Sequence, residues 1–460
     1  MNDLIIPLDN SSREPIYEQI YRYIKEEIRN GSLPFHGRLP STRALARHMQ
    51  ISRSTVDMAY AQLTAEGYLE AVPCKGYYVA QMDELFVSPR QQPDPEDNQV
   101  NVKVEYRYDF SPRGIDLRSF PYNVWRRLTK NTLIDDKREI FELGDPKGDY
   151  ALRNMICQYL HQARGVNCSP EQMVIGAGNE YLLMRLSQLL PSGCQIAMEN
   201  PTYRQAYRIL CGLGHKVVPV PMDEGGMEIE ALEKSGAMLS YVMPSHQYPL
   251  GIVMPIKRRL ELLAWAAKGE RYIIEDDYDS EFRYRGMPIP SLQGVDRKDC
   301  VIYIGTFSKS VAPAIRISYM VLPHALLKRF ESYNYYSSTV SRIDQTVMES
   351  FISEGHFERH LNRMRTIYKN KHDVLMNELK DFSDFSISGE NAGLHLLLTG
   401  SREEQELIEL AARQDVRVYG LSDYYITDTG RQHKTVVLGY ANMTEEEIKE
   451  GAAHLKEAWR

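Results

Sequence analysis

Long apolar runs are missing from this chain. Nowhere among its 460 residues do about 18 apolar residues follow one another, which excludes a membrane-spanning helix. The opening residues, MNDLIIPLDN, lack the basic region and apolar core of a secretory signal, so a soluble, cytoplasmic protein is expected. Cysteine is sparse: Cys74, Cys157, Cys168, Cys194, Cys211 and Cys300 are scattered, and no pair has metal-ligand spacing. A disulfide framework and a metal centre are therefore not expected, and free thiols in a reducing compartment are. Positive charge is also short. Lys and Arg number 55 against 62 Asp and Glu, a net charge of −7. That excludes a protein whose whole surface binds nucleic acid and leaves room only for a local basic patch.

What is present divides by region. Residues 1–80 read as one compact domain. Ile16, Ile20, Ile24 and Ile28 recur every four residues, a helical stripe that Gly31 and Pro34 terminate. Ser41 is placed to cap a second helix and Ser52 a third, which ends at Gly67. The stretch YLEAVPCKGYYVA reads as two short strands about a turn. Three helices and a hairpin in this order predict a winged helix-turn-helix, whose third helix would enter the DNA major groove. Charge agrees. The domain holds nine basic and nine acidic residues, yet Arg29, Arg38, Arg43, Arg47 and Arg53 occur with no acid between them. A one-sided cationic run is a footprint for duplex phosphates.

Residues 81–106, rich in proline, glutamine and acid, read as an exposed linker. Beyond them helices alternate with short apolar strands (MVIGAG, QIAMEN, KVVPVP, LSYVMPS, YIIEDD, CVIYIGT, ISYMVL). This predicts an α/β domain over 107–344, a mostly parallel sheet covered by helices. Residues 345–460 begin with long helices and return to strands, a smaller α+β subdomain.

Three motifs in the large domain carry chemistry. In TFSKS, Lys309 sits between small hydroxyl residues after a strand, which suits a Schiff base with pyridoxal 5'-phosphate (PLP). Thr306, Ser308 and Arg316 would face the cofactor's phosphate. In YIIEDDYDSEF, Asp276 would pair with the pyridine nitrogen and Tyr278 with the ring oxygen, with Asp277 as the alternative acid. In MVIGAGNEYLL, a glycine-rich turn opens a helix, so Ala177, Gly178 and Asn179 would offer backbone N–H groups to phosphate. Tyr203 in ENPTY would stack on the ring. Taken singly each piece is ordinary, since a lysine between serines is most often on the surface. Their order and spacing give them meaning.

The stretch LPSTRALARHMQISRSTVDMAYAQLTAEGYL followed by KGYYV resembles the GntR family of bacterial regulators. That resemblance implies DNA contacts at Arg43, Arg53, Ser54, Thr55 and the Lys75-Gly76 wing. Residues 107–460 resemble the PLP-dependent transferases of fold type I, through LGDPKGDYALR, IGAGNE, ENPTY, PSHQYPLG, IEDDYDSEF and TFSKS. The fusion resembles the MocR/GabR regulators over nearly the whole chain. It implies a head-to-tail homodimer that binds double-stranded DNA and senses an amino compound or a B6 vitamer through an aldimine at Lys309. An active aminotransferase with a secondary DNA-binding module is the alternative. Two departures bear on this. Tyr248 stands where aminotransferases carry the asparagine of Asn-Pro-x-Gly, which argues against efficient transamination. Gln205 and Asn442 stand where γ-aminobutyrate-binding regulators carry arginines, so that effector is not expected. Arg204, Arg113 and Arg342 remain as cations for another carboxylate.

Overall fold

A computed structural model describes residues 6–9, 11–12, 14–81, 105–134, 138–284, 289–332, 338–427 and 433–460. Most of the expected linker lies outside the described residues. The chain forms two compact units, residues 1–103 and 104–460.

In the first unit, helix α1 (Ile16–Arg29) buries Ile20, Ile24 and Ile28, the stripe seen in the sequence. Helix α2 (Thr42–Met49) starts where the Ser41 hydroxyl accepts from the Ala44 N–H, and ends at Gln50 in the left-handed conformation. Helix α3 (Arg53–Ala65) is capped by Ser52, whose hydroxyl accepts from the Thr55 N–H at 3.2 Å. Such a cap satisfies an N–H that no preceding carbonyl can reach, and is worth about 1 kcal/mol. Strands β1 (Leu69–Val72) and β2 (Gly76–Val79) pair antiparallel as the wing. Val56, Ala59, Tyr60 and Leu63 of α3 close the core against the α1 isoleucines.

The second unit is organised by a seven-stranded sheet. Its strands run in the order 173–176, 318–321, 301–306, 272–277, 239–242, 195–199, 216–220. Strand 318–321 is antiparallel to both of its neighbours and the other pairings are parallel. Side chains alternate between two apolar layers. Ile302 and Ile304 join Leu182, Leu186 and Tyr241 on one face. Tyr303 joins Leu152, Ile156 and Phe351 on the other. Burial on both faces is why these strands read as continuous apolar runs. A four-stranded antiparallel sheet (386–388, 395–399, 435–439, 419–420) forms a separate layer near the C-terminus. Tyr108 and Phe110 pack in its core, where Tyr108–Asp109 pairs with Val416–Arg417.

The topology positions the site. Every strand of this sheet except 318–321 points the same way, so their carboxyl ends share one edge, where the five loops after 173–176, 195–199, 239–242, 272–277 and 301–306 lie close together. Open α/β sheets bind ligands at that edge. Among the described residues no helix is long and apolar enough to cross a membrane, and no group of three or more His, Cys, Asp or Glu side chains is arranged to hold a metal.

Candidate functional site

A cleft at this edge is lined by Asn179, Tyr203, Asp276, Tyr278, Thr306, Ser308, Lys309 and Arg316. These come from four of the five loops, and the fifth adds Met243 and Tyr248. Ala177 and Gly178 stand just behind Arg316, whose guanidinium donates to the Ala177 carbonyl at 3.2 Å.

Lys309 donates to the Pro112 carbonyl at 3.1 Å, and burial lowers its amine to about 8. Nearby Asp279 works against that shift and Arg113 adds to it. An amine with a lowered pKa is neutral, hence nucleophilic, in a larger fraction of molecules near neutral pH. Burial raises the Asp276 carboxyl to about 7. It accepts a hydrogen bond from the Tyr241 hydroxyl and a long one, 3.5 Å, from the Asn179 amide. Among the described residues no cation contacts it, so a buried N–H⁺ arriving from a ligand would be a favourable partner. Asp277 is committed elsewhere: it accepts from Arg164 at 2.8 Å and from Tyr303 at 2.5 Å on the opposite face of the sheet. The alternative acid is thus a structural ion pair.

Tyr278 shares the Nδ1 of His246 at 3.0 Å with both carboxylate oxygens of Asp279, also at 3.0 Å. Tyr203 and Tyr248 meet edge to face with ring centroids 6.3 Å apart, and Tyr248 donates to Tyr424 at 3.0 Å. Thr306 accepts from the Ser308 N–H at 3.1 Å and from Ser318 at 2.9 Å, which fixes the loop around the lysine. Arg316 adopts a left-handed conformation, φ 54°, and pairs with Glu180 at 2.6 Å. Gly178 has φ +96°, and a Cβ there would lie 2.0 Å from the Arg316 guanidinium. The positive φ favours glycine there, and helix Asn179–Leu189 begins with no side chain capping its first N–H groups. The Ala177 and Gly178 N–H groups expected to face phosphate instead donate to the Thr339 hydroxyl at 3.2 Å and the Gly176 carbonyl at 2.8 Å.

The residues fit PLP on grounds internal to the chain. A buried amine, a desolvated carboxyl without a cation, a phenol, an arginine beside a glycine turn at a helix start, and an orphaned buried Asn179 Oδ1 match an anionic, aldehyde-bearing pyridine. Sequence reasoning missed Tyr241, His246, Asp279 and Glu180. His246 lies within PSHQYPLG and was open to notice. Tyr241 was not, because it reaches Asp276 from a strand 35 residues away.

In the first unit, Arg43, Arg53, Ser54 and Lys75 are exposed, while Thr55 and Gly76 are half-buried. Among the described residues Arg53 forms an ion pair only with Asp57, one turn on, at 3.4 Å. The Ser52 hydroxyl bonds those of Ser54 and Thr55, both at 2.8 Å. Lys75 sits in the wing turn, its N–H donating to the Val72 carbonyl at 3.0 Å. Gly76 has φ +112° next to the Arg38 side chain.

A winged helix-turn-helix joined to an aminotransferase-like unit defines a transcription regulator built on the scaffold of a PLP enzyme. The comparisons agree. Residues 16–79 match the bacterial regulatory proteins of the gntR family, and residues 116–455 match aminotransferase class I and II. The chain is 41% identical to the HTH-type transcriptional regulator YdeL of Bacillus subtilis, over 97% of both chains. It is 32% identical to the probable rhizopine catabolism regulatory protein MocR of Rhizobium meliloti, over 99% of this chain and 96% of that one. The fold matches an archaeal alanine:glyoxylate aminotransferase with TM-score 0.69 at 24% identity, over 78% of this chain and 91% of that one. The chain belongs to the MocR family of HTH-type transcription regulators.

Proposed function

We propose that this regulator holds PLP through Lys309 and reports to its DNA-binding domain the arrival of an amino compound or a B6 vitamer. The observation that carries this reading is the convergence of Asn179, Tyr203, Asp276, Tyr278, Lys309 and Arg316 on one cleft from four separate loops of the chain. When bound, the cofactor supplies an aldehyde that condenses with amines and a ring that withdraws electrons. The chain's own residues have separable tasks. Lys309 offers a neutral amine. Asp276 would pair with the ring nitrogen, and Tyr241 donates to that carboxyl and keeps it oriented. Tyr278 would meet the ring oxygen, and Tyr203 would cover the ring. Thr306, Ser308, Arg316 and the Asn179 end of the helix would hold the phosphate, with Ala177 and Gly178 shaping the turn that brings them together.

The domain assignment belongs to this reading: residues 1–80 read DNA, 81–106 link, 107–344 bind the cofactor, and 345–460 form the C-terminal subdomain. Arg43 and Lys75 neutralise phosphates, and Arg53, Ser54 and Thr55 meet base edges at the start of α3. The protein works in the cytoplasm as a head-to-tail homodimer. Support for dimerisation comes from Tyr122, Ile134, Phe141, Leu143 and Tyr150, which expose apolar surface along one stretch of chain, with Leu143 85% exposed. Effector binding shifts the DNA-competent fraction by its difference in affinity for the two states.

The test is binding of the full-length protein to DNA upstream of its own and adjacent genes, with and without PLP. The reading expects specific binding whose affinity responds to PLP in the wild type and not in Lys309→Ala. Failure of both proteins to bind such DNA would sink it. The complete cleft also favours a second reading, a working aminotransferase. Conversion of the bound cofactor to pyridoxamine phosphate by amino acids at enzyme-like rates would favour that reading.

A further inference from the structure

We infer that Arg113 is the carboxylate anchor of the effector site, so that the sensed molecule is an amino acid rather than a simple amine. The inference rests on the PLP-binding reading above and adds the chemistry of the second ligand.

Elimination carries the first step. Four arginines are candidates to meet an anion near Lys309. Arg316 is paired with Glu180 at 2.6 Å, beside the glycine turn assigned to phosphate. Arg342 is held by Asp149 at 3.0 Å and by the Glu139 carbonyl. Arg204 donates to the Tyr425 carbonyl and lies over the Tyr207 ring. Arg113 alone lines the cleft without a hydrogen bond or ion pair to any described residue.

Placement carries the second step. The Pro112 carbonyl, one residue before Arg113, accepts from the Lys309 amine at 3.1 Å. One residue after it, Gly114 packs so tightly that a Cβ would lie 2.6 Å from the Asn442 side chain. The turn closes with the Gly114 N–H donating to the Ser111 carbonyl at 3.2 Å. The backbone of Arg113 is therefore fixed on both sides, while its exposed side chain lines the cleft. The walls beside it are phenols: Tyr203 and Tyr248 line the cleft, and Tyr424 bonds Tyr248. The guanidinium favours ionisation of all three phenols and opposes protonation of Lys309, as a close cation must. A guanidinium with phenolic donors at its side is a site for a carboxylate. Asn442 brings no charge: its amide donates to the Asp109 carbonyl at 3.0 Å.

The experiment uses full-length, PLP-loaded protein and two matched probe series: straight-chain ω-amino acids together with L-α-amino acids, and the alkylamines that lack their carboxylate. Binding is read from the cofactor's visible absorbance and from the melting temperature. At least one amino acid should bind the wild type about tenfold or more tightly than its matched amine, the size expected of a charge-assisted hydrogen bond. In Arg113→Gln that ratio should fall to about one, with amine binding and cofactor loading unchanged; Arg113→Lys should restore part of it. Equal affinity for both series in the wild type, response to neither, or discrimination that survives in Arg113→Gln overturns the inference. So does loss of cofactor from Arg113→Gln, which would make the residue part of the phosphate site. A wild type that never acquires the cofactor's band overturns the PLP-binding reading itself, which separates the two failures.

Discussion

The two units of this chain handle charge in opposite ways. The first keeps its cations outside. Arg38, Arg43, Arg47 and Lys75 are exposed, and among the described residues Arg53 forms an ion pair only with its own helix neighbour Asp57. The second keeps many ionisable groups inside. Burial raises Glu275, Asp276 and Glu281 to about 7 and lowers Lys309 to about 8, while Arg164 and Asp277 form a buried pair at 2.8 Å. Exposed cations in water interact weakly until a polyanion brings a dense row of partners. Buried groups feel one another strongly in a low dielectric and are already perturbed before a ligand arrives. One unit leaves its cations where a polyanion can reach them, and the other gathers perturbed groups around a cleft.

The sharpest way to break this contrast is Lys309→Ala. Borohydride reduction of PLP-treated wild type should add the cofactor's mass to the peptide containing position 309, and the variant should acquire none. Labelling that persists in the variant would move the site elsewhere. Next comes the small core. Ile24 is fully buried on α1 against α3. Ile24→Ala should cost about 2–5 kcal/mol, enough to unfold much of so small a unit at its working temperature. DNA affinity should collapse while the cofactor's absorbance is retained. Loss of both together would show that the units are not thermodynamically separate.

The same contrast explains what the sequence made legible. The small unit is local: the isoleucine stripe, the serine caps at 41 and 52, and the wing turn each announce themselves within a few residues. The sheet strands of the large unit were also legible, because burial on both faces leaves uninterrupted apolar runs. Lys309, Asp276 and Tyr278 stood out because strand ends carried unusual residues. What stayed hidden depends on pairing between distant segments. Tyr241 reaches Asp276 across the sheet, Glu180 neutralises Arg316 over 136 residues, and the Pro112 carbonyl meets Lys309 over 197. Nothing within a short window encodes those meetings. The choice among Arg113, Arg204 and Arg342 was open for the same reason, and the partners of the last two are visible only in the fold.

A smaller effect sharpens the view of the exposed cations. If Arg43 neutralises a phosphate, Arg43→Ala should lower the slope of log affinity against log salt by about 1 and weaken specific and non-specific DNA alike. Arg53→Ala should instead cost about 1–3 kcal/mol at particular base positions and relax specificity there. Titration of DNA binding at several salt concentrations separates the two. An unchanged slope in Arg43→Ala would place that residue off the backbone.

The smallest effect concerns the interior. Glu275, Asp276 and Glu281 are raised to about 7 and Glu199 to about 8 by burial. A carboxyl raised on folding holds its proton in the native state after the unfolded chain has released it. Its favourable contribution is complete below the unfolded value, near about 4, and is lost as pH rises through the folded value. His360 and His395, pushed down to about 4 from 6.5, act in the opposite sense, but only below 6.5. Lys309 also acts in the opposite sense, above its lowered value of about 8. Between 6.5 and about 8 the four raised carboxyls all act in one direction, and cofactor-free protein should lose stability with rising pH. The small unit should stay flat over that window. Among its described residues one carboxyl, Glu66, is strongly shifted, lowered to about 2 by Lys25, so its contribution is fully present at any pH well above 4.5. Urea unfolding at the two pH values, followed by tyrosine fluorescence for the whole chain and by DNA binding for the small unit, measures both. Asp276→Asn should flatten the decline, because it removes one proton from the balance; a decline as steep as in the wild type would mean that Asp276 is ionised throughout.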